Sequence, residues 1–436
     1  MKKSFFLIAA TALTLGLANC SREKVDVNGN IDEGKPTYMG ISFTIPSTGN
    51  VGTRSDANAN DAETAFKFVD VFIYNTSTGT QTNHARIPAS EFTGPVSGSN
   101  TDEWIAKTTA KIATTTGEKT IIVGVNLSNS LSSSLSGVSM GTFTTIVQSV
   151  DIADVTGSTD GFAMFSTAPK VVTLVVDASL NNPKVQVQRL VAKVTVQKKD
   201  GIAITGGGII DNLMFVLNNT NKKTFYVQPS DKKDHNWAVT PAGDLANGNT
   251  DYVLVNEHTV AVKDLNPKYC LENTTRDFLM GQITRVTVRA TFIPASIKAF
   301  VNGTDNTEGY KDEAVSATTP ATFYSVLYNG GADKAYFFDI NAATAFAGEK
   351  GVSVMTYNNG YCYWDMFLNP DNIVSTPYDV LRNDFYRCNI TKIIAPGRST
   401  PDVTDPDIPP MQATDLMVDI EVVYWNPIHN DYELAP

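Results

Sequence analysis

The sequence predicts a mainly β protein built from β-sandwich domains, and three observations carry that expectation. Thr, Ser, Asn, Val and Gly are abundant while long amphipathic helical runs are scarce. Short apolar or alternating runs recur along the whole chain, separated by turn-rich polar connections, a rhythm that suggests sandwiches rather than a parallel sheet. With 436 residues, 42% of them hydrophobic, the chain can bury two or three cores.

At the N-terminus, Lys2 and Lys3 precede an apolar run from Phe5 to Leu17. This is too short for a permanent membrane span and fits a secretory signal peptide. It ends Leu17-Ala18-Asn19-Cys20, which resembles a bacterial lipoprotein box: residues 1–19 would be removed and Cys20 lipidated. A cut by the general peptidase, with Cys20 incidental, is the competing reading. Several acyl chains, at ~0.8 kcal/mol per buried CH₂, would anchor the precursor firmly. Ser21 to Lys35 is polar, charged and rich in Gly and Asn, the composition of a flexible tether.

Next, Met39, Ile41, Phe43 and Ile45 alternate with Gly40, Ser42 and Thr44, so Tyr38 to Ile45 predicts a half-buried strand. Pro46 stops it. A Ser/Thr/Gly/Asn run then leads to Thr53-Arg54-Ser55, an exposed loop of the kind proteases cut. A strand succeeded by a cuttable basic residue suggests a piece held first and released later; an ordinary first strand and loop is the alternative.

Phe66 to Tyr74 is nearly all apolar, as in a central strand. Trp104–Ile112, Thr120–Leu127 and Val171–Val176 are further strand candidates, and Met140–Val150 carries the spacing of a short helix. Val185 to Val196 sets apolar residues two apart around Arg189 and Lys193. A domain boundary is expected near 200–208, where Gly206-Gly207-Gly208 lacks the spacing of a phosphate loop and reads as a flexible junction. The second half continues with Leu213–Asn218, Thr224–Gln228, Tyr252–Val255, Val260–Val262, Thr284–Ile293, Tyr336–Ile340, Gly351–Tyr357, Tyr361–Leu368 and Asp384–Ile394 as strands. Long loops at 229–250 and 301–320 interrupt them. Beyond Ile394 five prolines form a semi-rigid linker, expected to hold the C-terminal segment away from the body. That segment is a strand with Leu416, Val418, Ile420, Val422 and Tyr424 on one face.

A net charge of −11 argues against nucleic acid or an anionic membrane surface as ligands. No metalloprotease, hydrolase, nucleotide-binding, thiol-redox or calcium-loop motif is present, so the sequence calls for no enzyme, cofactor or metal. His84, His235, His258 and His429 read as solvated surface residues. Trp104, Trp237, Trp364 and Trp425 could stack on sugars, though packing is their commoner use. In an exported chain Cys362 and Cys388 are a possible disulfide, with Cys270 the remaining thiol of the body.

Several of these stretches together resemble one family. TYMGISFTIP before Thr53-Arg54, FVDVFIY, RLVAKVTV at 189–196, VLRNDFYRCNITKI at 380–393 and DIEVVYWN at 419–426 are similar to the fimbrillins, the type V pilin subunits of anaerobic Gram-negative gut and oral bacteria. Asp384 stands where a histidine is expected, and Cys388 is unusual. The resemblance implies two transthyretin-like β-sandwich domains, at 55–204 and 205–395, with a propeptide at 20–54 and a donor-strand extension at 396–436. It implies a lipoprotein precursor at the cell outer membrane and then an extracellular fimbrium. A trypsin-like or Arg-specific protease would cut between Arg54 and Ser55, releasing the strand of Met39, Ile41, Phe43 and Ile45. Donor residues Leu416 to Tyr424 of another copy, or of a related pilin, would refill the groove. The alternative function is a tip or accessory adhesin, or a glycan-binding surface lipoprotein, with host or bacterial surface ligands.

Overall fold

The computed structural model describes residues 33–45, 63, 65–97, 104–157, 161–237, 244–248, 250–260, 265–302, 309–370, 376–401, 406–410 and 416–424. It is mainly β, as the composition predicts. The first alternating run forms two strands, β1 (Pro36–Met39) and β2 (Ser42–Ile45), not one. The break falls at Gly40, whose N–H leaves the ladder to donate to Asn181 O. After it come β3 (Phe68–Asn75), β4 (Gln81–Pro88), β5 (Phe92–Ser97), β6 (Trp104–Thr108), β7 (Ile112–Thr115) and β8 (Gly117–Val125). The first half is completed by β9 (Val147–Ser149), β10 (Met164–Ser166), β11 (Lys170–Leu174) and β12 (Lys184–Arg189). Nine of these strands form one sheet in the order β4-β3-β8-β10-β12-β2-β6-β5, with β11 also on β8, while β1 pairs β7 separately. In β3 every residue from Val69 to Tyr74 is buried, in keeping with a place between β4 and β8. The predicted helix at Met140–Val150 is helical only over Met140–Thr145; its tail becomes β9.

The run from Val185 to Val196 also divides. At Leu190 the chain leaves the first sheet, and β13 (Val191–Lys198) packs into a second core with Ala192, Val194 and Val196. The change of core therefore comes before the expected 200–208 boundary. The glycine run is not a loose junction either. Thr205 N–H donates to Ile393 O, and a Cβ at Gly208 (φ +105°) would lie 2.4 Å from Ile293 O. Only glycine fits so close to a neighbouring backbone.

The second half adds β14 (Ile209–Asn221), β15 (Lys223–Phe225), β16 (Leu245–Asn247), β17 (Val253–Leu254), β18 (Asn256–Glu257), β19 (Lys268–Leu271) and β20 (Arg285–Ile293). A hairpin of β21 (Ser296–Val301) and β22 (Gly309–Ala314) enters the stretch expected as a loop. Then come β23 (Phe323–Tyr328), β24 (Asp333–Phe337), β25 (Val354–Tyr357), β26 (Tyr361–Phe367), β27 (Asp384–Ile393) and β28 (Leu416–Tyr424). One sheet runs β18-β13-β27-β28 with β19 on β13; the other runs β16-β14-β20-β26 with β17 on β14. Tyr386, Cys388 and Ile390 of the first share a core with Phe215, Val288 and Trp364 of the second, which makes a sandwich. Contrary to expectation, β13 and β27 are parallel, as are β12 and β2. A helix at Ile340–Lys350 packs on β23–β25 around Val326, Phe337 and Phe346. Its signals were the Asp339 cap, accepting from Ala342 N at 2.8 Å, and left-handed Gly351 at its end.

Candidate assembly site

The alternation of Met39, Ile41 and Phe43 points all three side chains into the first core, where they are 1%, 0% and 0% exposed. β2 is inserted between two neighbours. It runs parallel to β12, with Phe43 beside Val185, and antiparallel to β6, with Phe43 opposite Ala106. The intervening backbone is paired as well. Gly40 N donates to Asn181 O, Ser42 N to Pro183 O, and Ile41 O accepts from Thr108 N, each at 2.9 Å. Phe43 closes a triangle of edge-on rings with Phe66 and Phe92, at 5.4 and 5.5 Å. Without β1 and β2 this half would carry an apolar slot with unpaired backbone on both sides. Ile45 ends β2 opposite Trp104. Cys20, Arg54 and Ser55 lie outside the described residues.

The missed feature of this region is Glu63, fully buried at the seam of the two cores. Its carboxylate is 2.9 Å from Lys193 Nζ on β13 and accepts from Tyr269 Oη on β19 at 2.6 Å. Its carbonyl accepts from Arg189 Nε at 2.9 Å. Arg189 also donates to Asn383 Oδ1, and Asn383 N donates to Val191 O. Burial lowers the Arg189 and Lys193 pKa values, and Glu63 works against that shift in both. So the RLVAKVTV and VLRND stretches are two sides of one joint. Beside it Arg382 reaches Glu272 with Nε 2.9 Å from Oε2, and donates to the carbonyls of Phe225 and Tyr226.

Asp384, the residue after that joint, is 5% exposed and its Oδ2 has no hydrogen-bond partner. Burial pushes its pKa up to about 7, with Lys232 the charge that opposes the shift. Its folded pKa lies above the ordinary carboxylate range. Its protonated form therefore favours folding, and that contribution is lost as pH rises from about 4 to about 7. The expected outcome for Asp384→Asn is a gain in Tm at pH 8, none at pH 4, and a flatter Tm profile between. A parallel profile for mutant and wild type would exclude it.

The C-terminal strand has the predicted bounds, but the linker does not hold it away from the body. Met280 N donates to Ile408 O, Gly281 N to Pro406 O, and Arg398 Nη2 to Asp365 Oδ2. The chain so guided lays β28 antiparallel on its own β27, from Ile393 opposite Leu416 to Asp384 opposite Tyr424. Val418 and Ile420 pack on the second core. Leu416, Val422 and Tyr424 are placed by their backbone in that ladder.

The expected Cys362–Cys388 bridge is not formed: both, like Cys270, are buried free thiols. Cys362 lies on β26 and Cys388 on β27, in facing sheets. Cys362 Sγ instead donates to Ala290 O, opposite it in the same sheet, at 3.6 Å. Burial raises all three thiols to about 12. His84 and His235 are not the solvated surface residues the sequence suggests. His84 Nε2 lies 2.9 Å from buried Asp70, which also accepts from Ser132 Oγ at 2.6 Å. Serine and imidazole both converge on the carboxylate, an arrangement for holding Asp70 rather than activating a nucleophile. His235 is 12% exposed and 3.4 Å from Asp244. Trp364 is core, its Nε1 donating to Ala395 O at 3.2 Å. Among the described residues there is no metal-ligand cluster, and no helix is long and apolar enough to cross a membrane.

Residues 355–431 match the family described as "Major fimbrial subunit protein type IV, Fimbrillin, C-terminal". The fimbrillin resemblance of the sequence is thus borne out over the stretch that contains β26, β27 and β28. No curated protein matches the chain. Solved structures similar to it include a fimbrilin from Porphyromonas gingivalis W83, at 13% identity and TM-score 0.48, covering 90% of this chain and 99% of that one. A tip fimbrial protein from Porphyromonas gingivalis, with C-terminal truncation, is 13% identical with TM-score 0.42, covering 89% and 100%. A fimbrial assembly protein from Parabacteroides distasonis is 11% identical with TM-score 0.41, covering 90% and 100%.

Proposed function

We propose that this chain, whose residues 355–431 carry the fimbrillin C-terminal pattern, is a structural subunit of a bacterial surface fimbria that polymerises by strand exchange. The observation that carries this reading is the seat of β2, an apolar strand between β12 and β6, with the polar run that contains Arg54 next in the sequence. Its precursor would be held at the outer membrane through lipid on Cys20. Cleavage after Arg54 cuts the covalent link between β2 and the body. The freed segment, Met39 to Ile45, then leaves the slot.

The slot demands an apolar strand with free backbone groups, and the run of Val418, Ile420, Val422 and Tyr424 from a second copy supplies one. Burying four such side chains is worth roughly 6–12 kcal/mol before entropy costs. A donor at one end and an acceptor at the other make a heterologous joint, which propagates as an open filament. Before exchange the donor occupies its own β27, so the precursor stores both strands in place until the cut.

Low-dose trypsin on the purified precursor, N-terminal sequencing of the product and a non-boiled gel test the reading. The expected product starts at Ser55 and runs as a detergent-resistant ladder. A stable monomer after cleavage at Arg54 sinks it.

A further inference from the structure

We propose a single register for the incoming strand, in which Tyr424 of one copy takes the place of Phe43 in the next; this rests on the strand-exchange reading above. The slot is not uniform along its length. Phe43 sits between Phe66 and Phe92, whose own rings are 5.5 Å apart, so this position demands a ring. Tyr38, the other aromatic of the displaced segment, is half exposed and makes no such demand. On the donor, Leu416, Val418, Ile420, Val422 and Tyr424 share one parity, and Tyr424 alone among them is aromatic.

A second feature selects the same register. The displaced segment reads Met39-x-Ile41-x-Phe43-x-x-Pro46, and the donor reads Ile420-x-Val422-x-Tyr424-x-x-Pro427. Three of the four apolar positions, the ring and the terminating proline superimpose without a gap; at the fourth, Ile45, the donor carries Asn426, and Trp425 takes the place of Thr44. Sliding the donor two residues one way puts Val422 between Phe66 and Phe92 and leaves a ring-sized void. Sliding it two residues the other way puts Pro427 at position 44, inside the ladder between β12 and β6, where an N–H is lost.

In the chosen register Ile420 replaces Met39, Val422 replaces Ile41 and Val423 replaces Ser42, opposite Lys107. Glu421 enters at Gly40, where a Cβ stands 3.0 Å from Asn182 Oδ1, so Asn182 shifts aside by a few tenths of an ångström. The slot was built for phenylalanine, and Tyr424 brings a hydroxyl to a site that held none.

Cysteine pairs read the register directly. Lys107→Cys with Val423→Cys places the two Cβ atoms opposite each other at a joint, within disulfide reach. After trypsin and oxidation the expected ladder survives boiling and collapses with reductant. Crosslinking instead by Lys107→Cys with Glu421→Cys, or with Trp425→Cys, overturns the register and leaves strand exchange standing. Trypsin-treated wild type that gives no ladder before boiling overturns both. In a second arm, Tyr424→Ala weakens the joint about tenfold or more while Tyr424→Phe keeps it. Equal ladders from Tyr424→Ala and wild type overturn the assignment.

Discussion

Replacing Glu63 with alanine is expected to destabilise the protein by about 3–5 kcal/mol, more than any surface change, because it strands two buried cations. Arg189 is 0% exposed and Lys193 2%, and Glu63 bridges them from a segment outside both strands. Tyr269 would lose its acceptor at the same time. Glu63→Gln should cost less, since its amide oxygen still accepts from Tyr269 or Lys193, while the Arg189 bond to the main-chain carbonyl survives in both variants. Combining Glu63→Gln with Lys193→Met should recover part of the loss, because removing both charges of a buried pair is milder than removing one. Denaturant titration of the four proteins checks this. If Glu63→Ala stays within ~0.5 kcal/mol of wild type, the cluster does not hold the two cores together.

That cluster was written in the sequence in a form easy to misread. Val185, Val187, Arg189, Val191 and Lys193 share one parity, which places both cations on the buried face and requires a counter-charge nearby. The parity was visible; the carboxylate was not, because Glu63 belongs to no periodic run. Strands that bury one face or two announced themselves well, β3 and β28 included, since periodicity reports burial. Periodicity does not report which neighbour is chosen. It therefore missed the exchange of sheets at Leu190 and the parallel pairing of β13 with β27. Proline content likewise measured the stiffness of the linker but not its path, which depends on Asp365 and on the backbone of Met280 and Gly281.

Deleting Leu416 to Pro436 is expected to abolish self-assembly and yet leave a subunit that still accepts a donor. β27 then loses one of its two neighbours, and Val418 and Ile420 no longer cover the second core, so the truncated body should melt below wild type. The core is still closed by β13 and β27 on one side and β20 and β26 on the other, which argues for a folded product. The proposed acceptor slot lies in the other half, between β12 and β6, and is untouched by the deletion. A donor-less copy can therefore occupy the end of a growing filament but cannot extend it. Mixed with cleaved full-length subunits at about one part in ten, it should shorten ladders to on the order of ten subunits. The double variant Val418→Glu, Ile420→Glu should cap in the same way while keeping the chain length. Ladders that keep their length whatever the fraction of truncated subunits would mean that the joint is made elsewhere than by β28.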